Sequence, residues 1–205
     1  MVEGTNPGAY PVDVQAAFPE SSSRGLALLF ILFGLKSFAL IVHMIVLFIY
    51  GIGALFVFLI SQLAVLFTGH YPDGMHAFLN GLLRWSNEMS GWLVGLTDKF
   101  PPFAPSHDPY PVETTIARPE HSSRGWAAMT IVLIKFVALF PHVIVLYVLG
   151  LIEGLLALVA NLVILFTGRF PDGLFDFIVA VLRWQTRVAA FAFGLVDEYP
   201  PFSLT

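Results

Sequence analysis

Residues 26–67, LALLFILFGLKSFALIVHMIVLFIYGIGALFVFLISQLAVLF, decide the reading of this chain. Arg24 precedes them, Thr68-Gly69 follows, and Lys36, His43, Ser61 and Gln62 are the principal polar interruptions. A helix crosses a hydrocarbon core of about 30 Å with about 20 residues, so this stretch is too long for one pass. Lipid offers the backbone no hydrogen-bond partner, which makes helices the expected form. The length therefore predicts a transmembrane helical hairpin, with its apex between about residues 44 and 53, near Tyr50-Gly51-Ile52-Gly53. The same pattern returns over residues 126–166, between Arg124 and Thr167-Gly168, with a second apex expected between about 142 and 153, near Gly150 to Gly154, and a rival break at Pro141-His142; Thr68-Gly69 and Thr167-Gly168 read as helix stops.

The repeat extends over nearly the whole sequence. Tyr10-Pro11-Val12 matches Tyr110-Pro111-Val112, and Ser22-Ser23-Arg24-Gly25 matches Ser122-Ser123-Arg124-Gly125, at a spacing of 100. From Lys36 and Lys135 onward the spacing is 99: Pro72-Asp73-Gly74 matches Pro171-Asp172-Gly173, and Arg84-Trp85 matches Arg183-Trp184. Residues 1–9 are expected to be a mobile tail, 10–103 the first repeat, 104–109 a linker, 110–202 the second repeat and 203–205 a short tail. Parallel copies suggest a pseudo-two-fold axis along the membrane normal.

Outside the apolar stretches, Tyr10 to Val14 alternates weakly and suits a strand or an extended segment. Apolar residues from Met75 to Leu96 recur at helical spacing, while His76, Asn80, Arg84, Asn87 and Glu88 gather elsewhere. That pattern predicts an amphipathic helix lying at the membrane interface or across the hairpin. Its counterpart, residues 174–196, is more apolar and could insert more deeply. The fold expected is an all-α integral membrane protein of two tandem repeats, each a transmembrane hairpin followed by an amphipathic interfacial helix.

Composition narrows the chemistry. The chain is 57% hydrophobic and 12% charged, with a mean hydropathy of +0.80, against roughly 25% charged residues in a soluble domain. It has no cysteine, which excludes disulfides, thiolate metal sites and a cysteine nucleophile. A net charge of −4 gives no footprint for nucleic acid. No nucleophile with its base, no paired carboxylates, no phosphate-binding glycine loop and no metal motif stands at usable spacing, so no enzymatic activity is expected. The first 25 residues carry Glu3, Asp13 and Glu20 before the first base, unlike a cleavable signal peptide. Eight of the ten Lys and Arg residues lie outside the apolar stretches, and the expected hairpin tips hold none, which places both termini in the cytoplasm.

The order Tyr-Pro-Val, Arg, Pro-His, Leu-Phe-Thr-Gly-Arg-Phe-Pro, Leu-Arg-Trp and Tyr-Pro-Pro-Phe resembles a bacterial membrane family known as domain of unknown function 4389. Pro141-His142, Arg169 and Tyr199 make the second copy the fuller match, and Val42, His70 and Phe100 depart from it in the first. The resemblance implies a multi-pass protein of the bacterial cytoplasmic membrane and names no activity.

Lys36 and Lys135 are the costliest residues, roughly 18 Å along a helix from the boundary arginine. They suit a lipid-phosphate, ion or cofactor contact, or else snorkelling and a bond to a helix carbonyl. Arg84, Arg183, Arg187, Trp85 and Trp184 are the other expected lipid or partner contacts. His43 and His142 are candidate ligands of a haem held between the repeats; otherwise no cofactor or metal is expected. The leading functional expectation is a non-enzymatic accessory or scaffold protein, in contact with the lipid bilayer and with a membrane-protein partner or further copies of itself. A transporter or lipid-handling protein is the alternative, and a haem-binding electron carrier the next.

Overall fold

The computed structural model describes residues 10–32, 34–105 and 108–205. The tail expected at 1–9 lies outside them, as does part of the 104–109 linker. Each repeat contributes one strand, β1 (Val12–Ala16) or β2 (Val112–Ile116), and then helices. In the first repeat these are α1 (Arg24–Ile31), α2 (Leu35–Phe38), α3 (Ile41–Thr68) and α4 (Asp73–Val94). In the second they are α5 (Arg124–Ile131), α6 (Ile134–Thr167) and α7 (Asp172–Ala192).

Ser23 and Ser123 start α1 and α5 as N-caps, accepting from the amides of Leu26 and Trp126. Both short helices stop where the backbone turns left-handed, at Gly34 (φ 67°) and at Leu133 (φ 64°), which occupy the same place in their repeats. The long helices end at Gly69 and Gly168, again left-handed, as glycine after Thr predicts. Asp73 and Asp172 sit in the first turns of α4 and α7, where a carboxylate meets the positive end of the helix dipole.

The chain's turning points differ from those expected. α3 runs unbroken through Tyr50-Gly51-Ile52-Gly53, and α6 runs through Pro141 and through Gly150 to Gly154. An added Cβ at Gly51, Gly150 or Gly154 would meet nothing within 4 Å, so these glycines lie on open helix surface and mark no turn. The breaks fall earlier, at Gly34 and Leu133. Among the described residues, two helices, α3 and α6, are long and apolar enough to cross a membrane, where four spans were expected. α1 and α5 have eight residues each, about 12 Å of helix, too short to cross.

β1 and β2 pair antiparallel, with Val12 opposite Ile116, Val14 opposite Thr114 and Ala16 opposite Val112. Val14 and Thr114 are equivalent residues, so the pseudo-two-fold axis passes between them. The alternation of the two strands buries Val12, Val14, Val112 and Thr114 on one face of the ribbon. A two-stranded ribbon is marginal alone. Here α4 and α7 lie beneath it, and burying each valine contributes about 2 kcal/mol.

The packing exchanges the repeats. β1 lies on α7 and β2 on α4, while α1 packs on α6 and α5 on α3. The amide of Ser22 donates to Gly168 O and that of Ser122 to Gly69 O, both at 2.9 Å. The strand and first helix of each repeat therefore complete the other repeat. Within a repeat, α3 and α4 run antiparallel, with ring contacts from His43–Trp85 to Tyr50–Phe78 and a Ser61–Tyr71 hydrogen bond at the far end. α4 was expected at the membrane interface or packed across the hairpin, with its polar residues away from the apolar side. β2 and α7 cover much of that polar side, and His76, Asn87 and Glu88 are buried. α7 packs between α6 and β1.

Candidate functional site

The expected site residues are buried or, for Arg84 and Arg183, half-buried, and the helices just described gather them in three places. Lys36 stands one turn before α3, and Lys135 in the first turn of α6. Both are fully buried. Lys36 Nζ donates to Trp92 O and lies 4.5 Å from the centre of the Trp92 ring. Lys135 Nζ lies 4.2 Å from the ring of Phe191, the residue equivalent to Trp92, and 6.0 Å from Trp126. It has no hydrogen-bond partner among the described residues. Each ammonium thus rests on the π-face of an aromatic ring at the end of its own repeat's amphipathic helix, a favourable cation–π arrangement when desolvated. Asp98 and Asp197 stand nearby; each accepts from the amide of Ser23 or Ser123, tying the end of the repeat to its first helix. Burial raises the Asp197 carboxyl above the usual range, against the pull of the Ser123 amide.

His43 and His142, on the buried faces of the long helices, occupy separate nests. His43 Nε2 lies 3.0 Å from Pro102 O and 3.2 Å from Pro101 O; carbonyls only accept, so this nitrogen carries the proton. Its ring stacks on Phe103 at 4.4 Å. His142 stacks on Phe202 at 3.8 Å and accepts at Nδ1 from Trp184 Nε1. Trp85 Nε1 donates to Pro102 O at 2.7 Å. The Pro-Pro-Phe segment that closes each repeat therefore folds back over the histidine and tryptophan of that repeat. Among the described residues, the two histidines share no hydrogen-bond or ring partner. Trp85 and Trp184, expected at a lipid or partner surface, are buried because these segments cover them.

The third place is the ribbon-facing side of α4 and α7, and here the copies diverge. Arg183 pairs with Asp13 at 2.6 Å and donates to Val14 O, while Arg187 donates to Val12 O and to Thr205 O and lies over the Tyr10 ring. Both arginines thus clamp β1 and the C-terminal residues onto α7. In the first copy Arg84 and Glu88 hold these positions, 3.9 Å apart, at the edge of a cavity of about 240 Å³ that Tyr110 and Glu113 also line. Glu88 is buried and its Oε2 has no hydrogen-bond partner among the described residues. Burial lifts its carboxyl to about 7, the Arg84 guanidinium opposing. The polarity of Glu88 was visible in sequence, but its burial was not, because the strand that covers it comes from the other repeat.

Gln62 and Asn161, also equivalent, donate to Phe193 O and Val94 O at the ends of α7 and α4. On the axis, Asn87 donates to Thr114 Oγ1 and Thr186 Oγ1, both at 2.9 Å. Sequence reading did not single out Thr114 or Thr186. Among the described residues, no group of three or more His, Asp or Glu side chains gathers in a way that could hold a metal ion.

These features define a tandem-repeat, mostly helical protein with, among the described residues, two helices of membrane-crossing length and apolarity, in which buried Lys36, His43, Gln62, Asn87 and Asn161 join segments of the chain. The chain belongs to the family described as Domain of unknown function (DUF4389), which it matches twice, at residues 32–104 and 130–203. No curated protein and no solved structure matches it. The first match begins after α1 and the second at the end of α5, so most of each exchanged segment lies outside the family pattern.

Proposed function

We propose that this protein is a non-enzymatic accessory or scaffold protein of the bacterial cytoplasmic membrane, which offers a broad apolar face to lipid and to a membrane-protein partner. The observation that carries this reading is how its polar groups are used. Lys36, His43, Trp85, Gln62, Asn161 and Arg187 all bond to main-chain carbonyls of the chain itself, an arrangement that builds a shape and leaves little to act on a substrate. Beside this stands the extent of exposed aliphatic and aromatic surface on α1, α3, α5 and α6. Monomeric soluble proteins rarely expose apolar patches larger than a few hundred Å².

Mass spectrometry of the protein gently extracted from its native membrane tests this reading. A stoichiometric protein partner, retained when Lys36 and Lys135 are both changed to Met, is the expected result. Recovery alone with a defined lipid or metabolite, lost on the same substitutions, supports transport or lipid handling instead. The observation favouring that second reading is Lys135, a buried ammonium without a hydrogen-bond partner among the described residues. A haem carrier would show a Soret band that disappears with His43→Ala or His142→Ala.

A further inference from the structure

We propose that the protein lies on the bilayer as a slab, with its apolar layer sunk in one leaflet and α3 and α6 running in the membrane plane instead of crossing it. This rests on the membrane reading above and goes beyond it in fixing orientation.

The symmetry supplies the first step. Val14 pairs with Thr114, and Asn87 bonds to Thr186; each is a pair of equivalent residues, so the pseudo-two-fold axis runs through both. Both strands bury the same face of the ribbon, against α4 and α7, so the axis is the ribbon's normal. α7 follows β1 along its length, from Arg187 against Val12, through Arg183 against Val14, to Phe175 against Phe18. It therefore lies across the axis. α3 runs antiparallel along α4 and shares that direction, as α6 does along α7. The long helices form a layer parallel to the ribbon, two layers below it.

Exposure divides along the same axis. Among the described residues, no exposed large hydrophobic side chain lies on β1, β2, α4 or α7, whereas α3 shows them from Ile41 to Phe67 and α6 from Ile134 to Phe166. A helix that crosses needs about 20 residues. These have 28 and 34, about 42 and 51 Å, with exposed apolar side chains from end to end. Were they upright, the ribbon would stand beside the middle of the hydrocarbon core, with the exposed Gln15, Glu113 and Thr115 in lipid. A carboxylate there is strongly disfavoured, because hydrocarbon offers it neither water nor a partner. Lying flat, the slab puts the ribbon in water. Exposed Arg24 and Arg124, whose guanidinium groups flank Gly168 and Gly69 at opposite ends of the layer, then meet lipid phosphate at the same level.

The absence of cysteine makes the test direct. Single cysteines replacing Met44, Phe56 and Phe67 along the exposed side of α3 are labelled with a fluorophore. The protein is then reconstituted into phosphatidylethanolamine–phosphatidylglycerol vesicles carrying nitroxides at known depths. The expected result is one depth for all three labels, within about one helix diameter of 10 Å. Glu20→Cys and Glu120→Cys should react with an impermeant maleimide from the same side of the vesicle. A label at 56 near the bilayer centre with those at 44 and 67 shallow and opposite overturns the proposal, as does reaction of 20 and 120 from opposite sides. A protein that fails to float with the vesicles overturns the membrane reading itself, so the two failures are distinguishable.

Discussion

Asn87 of α4 and Thr186 of α7 hold the same place in their repeats and are bonded to each other, amide to hydroxyl, across 2.9 Å. The Asn87 side chain also donates to Thr114 Oγ1, so one buried amide ties both amphipathic helices and the ribbon together on the symmetry axis. Asn87→Ala leaves two buried hydroxyls short of a donor and is expected to cost about 1–3 kcal/mol. Thermal unfolding in detergent, compared with Thr186→Val and the double variant, measures it. A coupling of at least 0.5 kcal/mol or so between the two sites is expected for residues in contact.

Gly91 reports on the exchange between repeats. A Cβ there would stand 2.6 Å from Val112 Cγ2 of the other repeat's strand, while the equivalent residue of α7 is already Ala190. Gly91→Ala should destabilise by about 1–3 kcal/mol through overpacking, and Val112→Ala should restore most of the loss. The same site offers a crosslink. The added Cβ lies 3.5 Å from Val112 Cβ, at the short end of disulfide geometry. Cysteines at 91 and 112 should oxidise to a bridge, whereas a pair at 190 and 112 should not. The reverse outcome would mean that each strand packs within its own repeat.

At the bend before the long helix, Gly34 and Leu133 adopt the same left-handed conformation. That conformation costs a non-glycine residue roughly 1–2 kcal/mol. Leu133→Gly should therefore stabilise the chain, by up to about 1 kcal/mol after the entropy that glycine adds to the unfolded state. Gly34→Ala should destabilise it by a similar amount. Melting temperatures of both variants decide the point, and a drop for Leu133→Gly would mean that the exposed leucine contributes more through contact than its backbone loses.

Glu88 makes stability depend on pH. Burial, opposed by Arg84, holds its carboxyl at about 7, above the ordinary 4.5. Between these values the folded protein keeps a proton that the unfolded chain has released, so this residue's contribution is fully present below about pH 4.5 and is lost as pH rises through 7. Glu88→Gln should flatten that part of the profile, leaving the variant relatively more stable than the parent at pH 8. An unchanged difference between the two proteins from pH 4 to 8 would contradict it.

The sequence revealed the tandem copy, the family and the apolar stretches, because repeats and hydropathy are properties of residue order. It also marked Gly69 and Gly168 as helix ends and Met75 to Leu96 as amphipathic. It did not reveal where the long stretch bends. Gly34 carried a signal, but Leu133 at the matching position carries none, and the glycines at 51, 53, 150 and 154 suggested a turn although the helix simply passes through them. The exchange was hidden for a different reason. Val12 and Val112, like Ser22 and Ser122, are equivalent residues, so each pairing pattern within a repeat has an identical counterpart between repeats. Only three-dimensional contacts separate the two. The same ambiguity concealed the burial of Glu88, whereas Trp85 and Trp184 are covered from within, by the Pro-Pro-Phe segment of their own repeat folding back over them.

On the proposed reading, the apolar layer of α1, α3, α5 and α6 is a membrane surface. Fractionation of cells producing the full chain, with the membranes washed in alkaline carbonate and then floated on a density gradient, decides it. The protein should stay in the washed membranes, rise with them and leave only in detergent. Release into the wash as a detergent-free monomer would mean that this layer is not held by lipid.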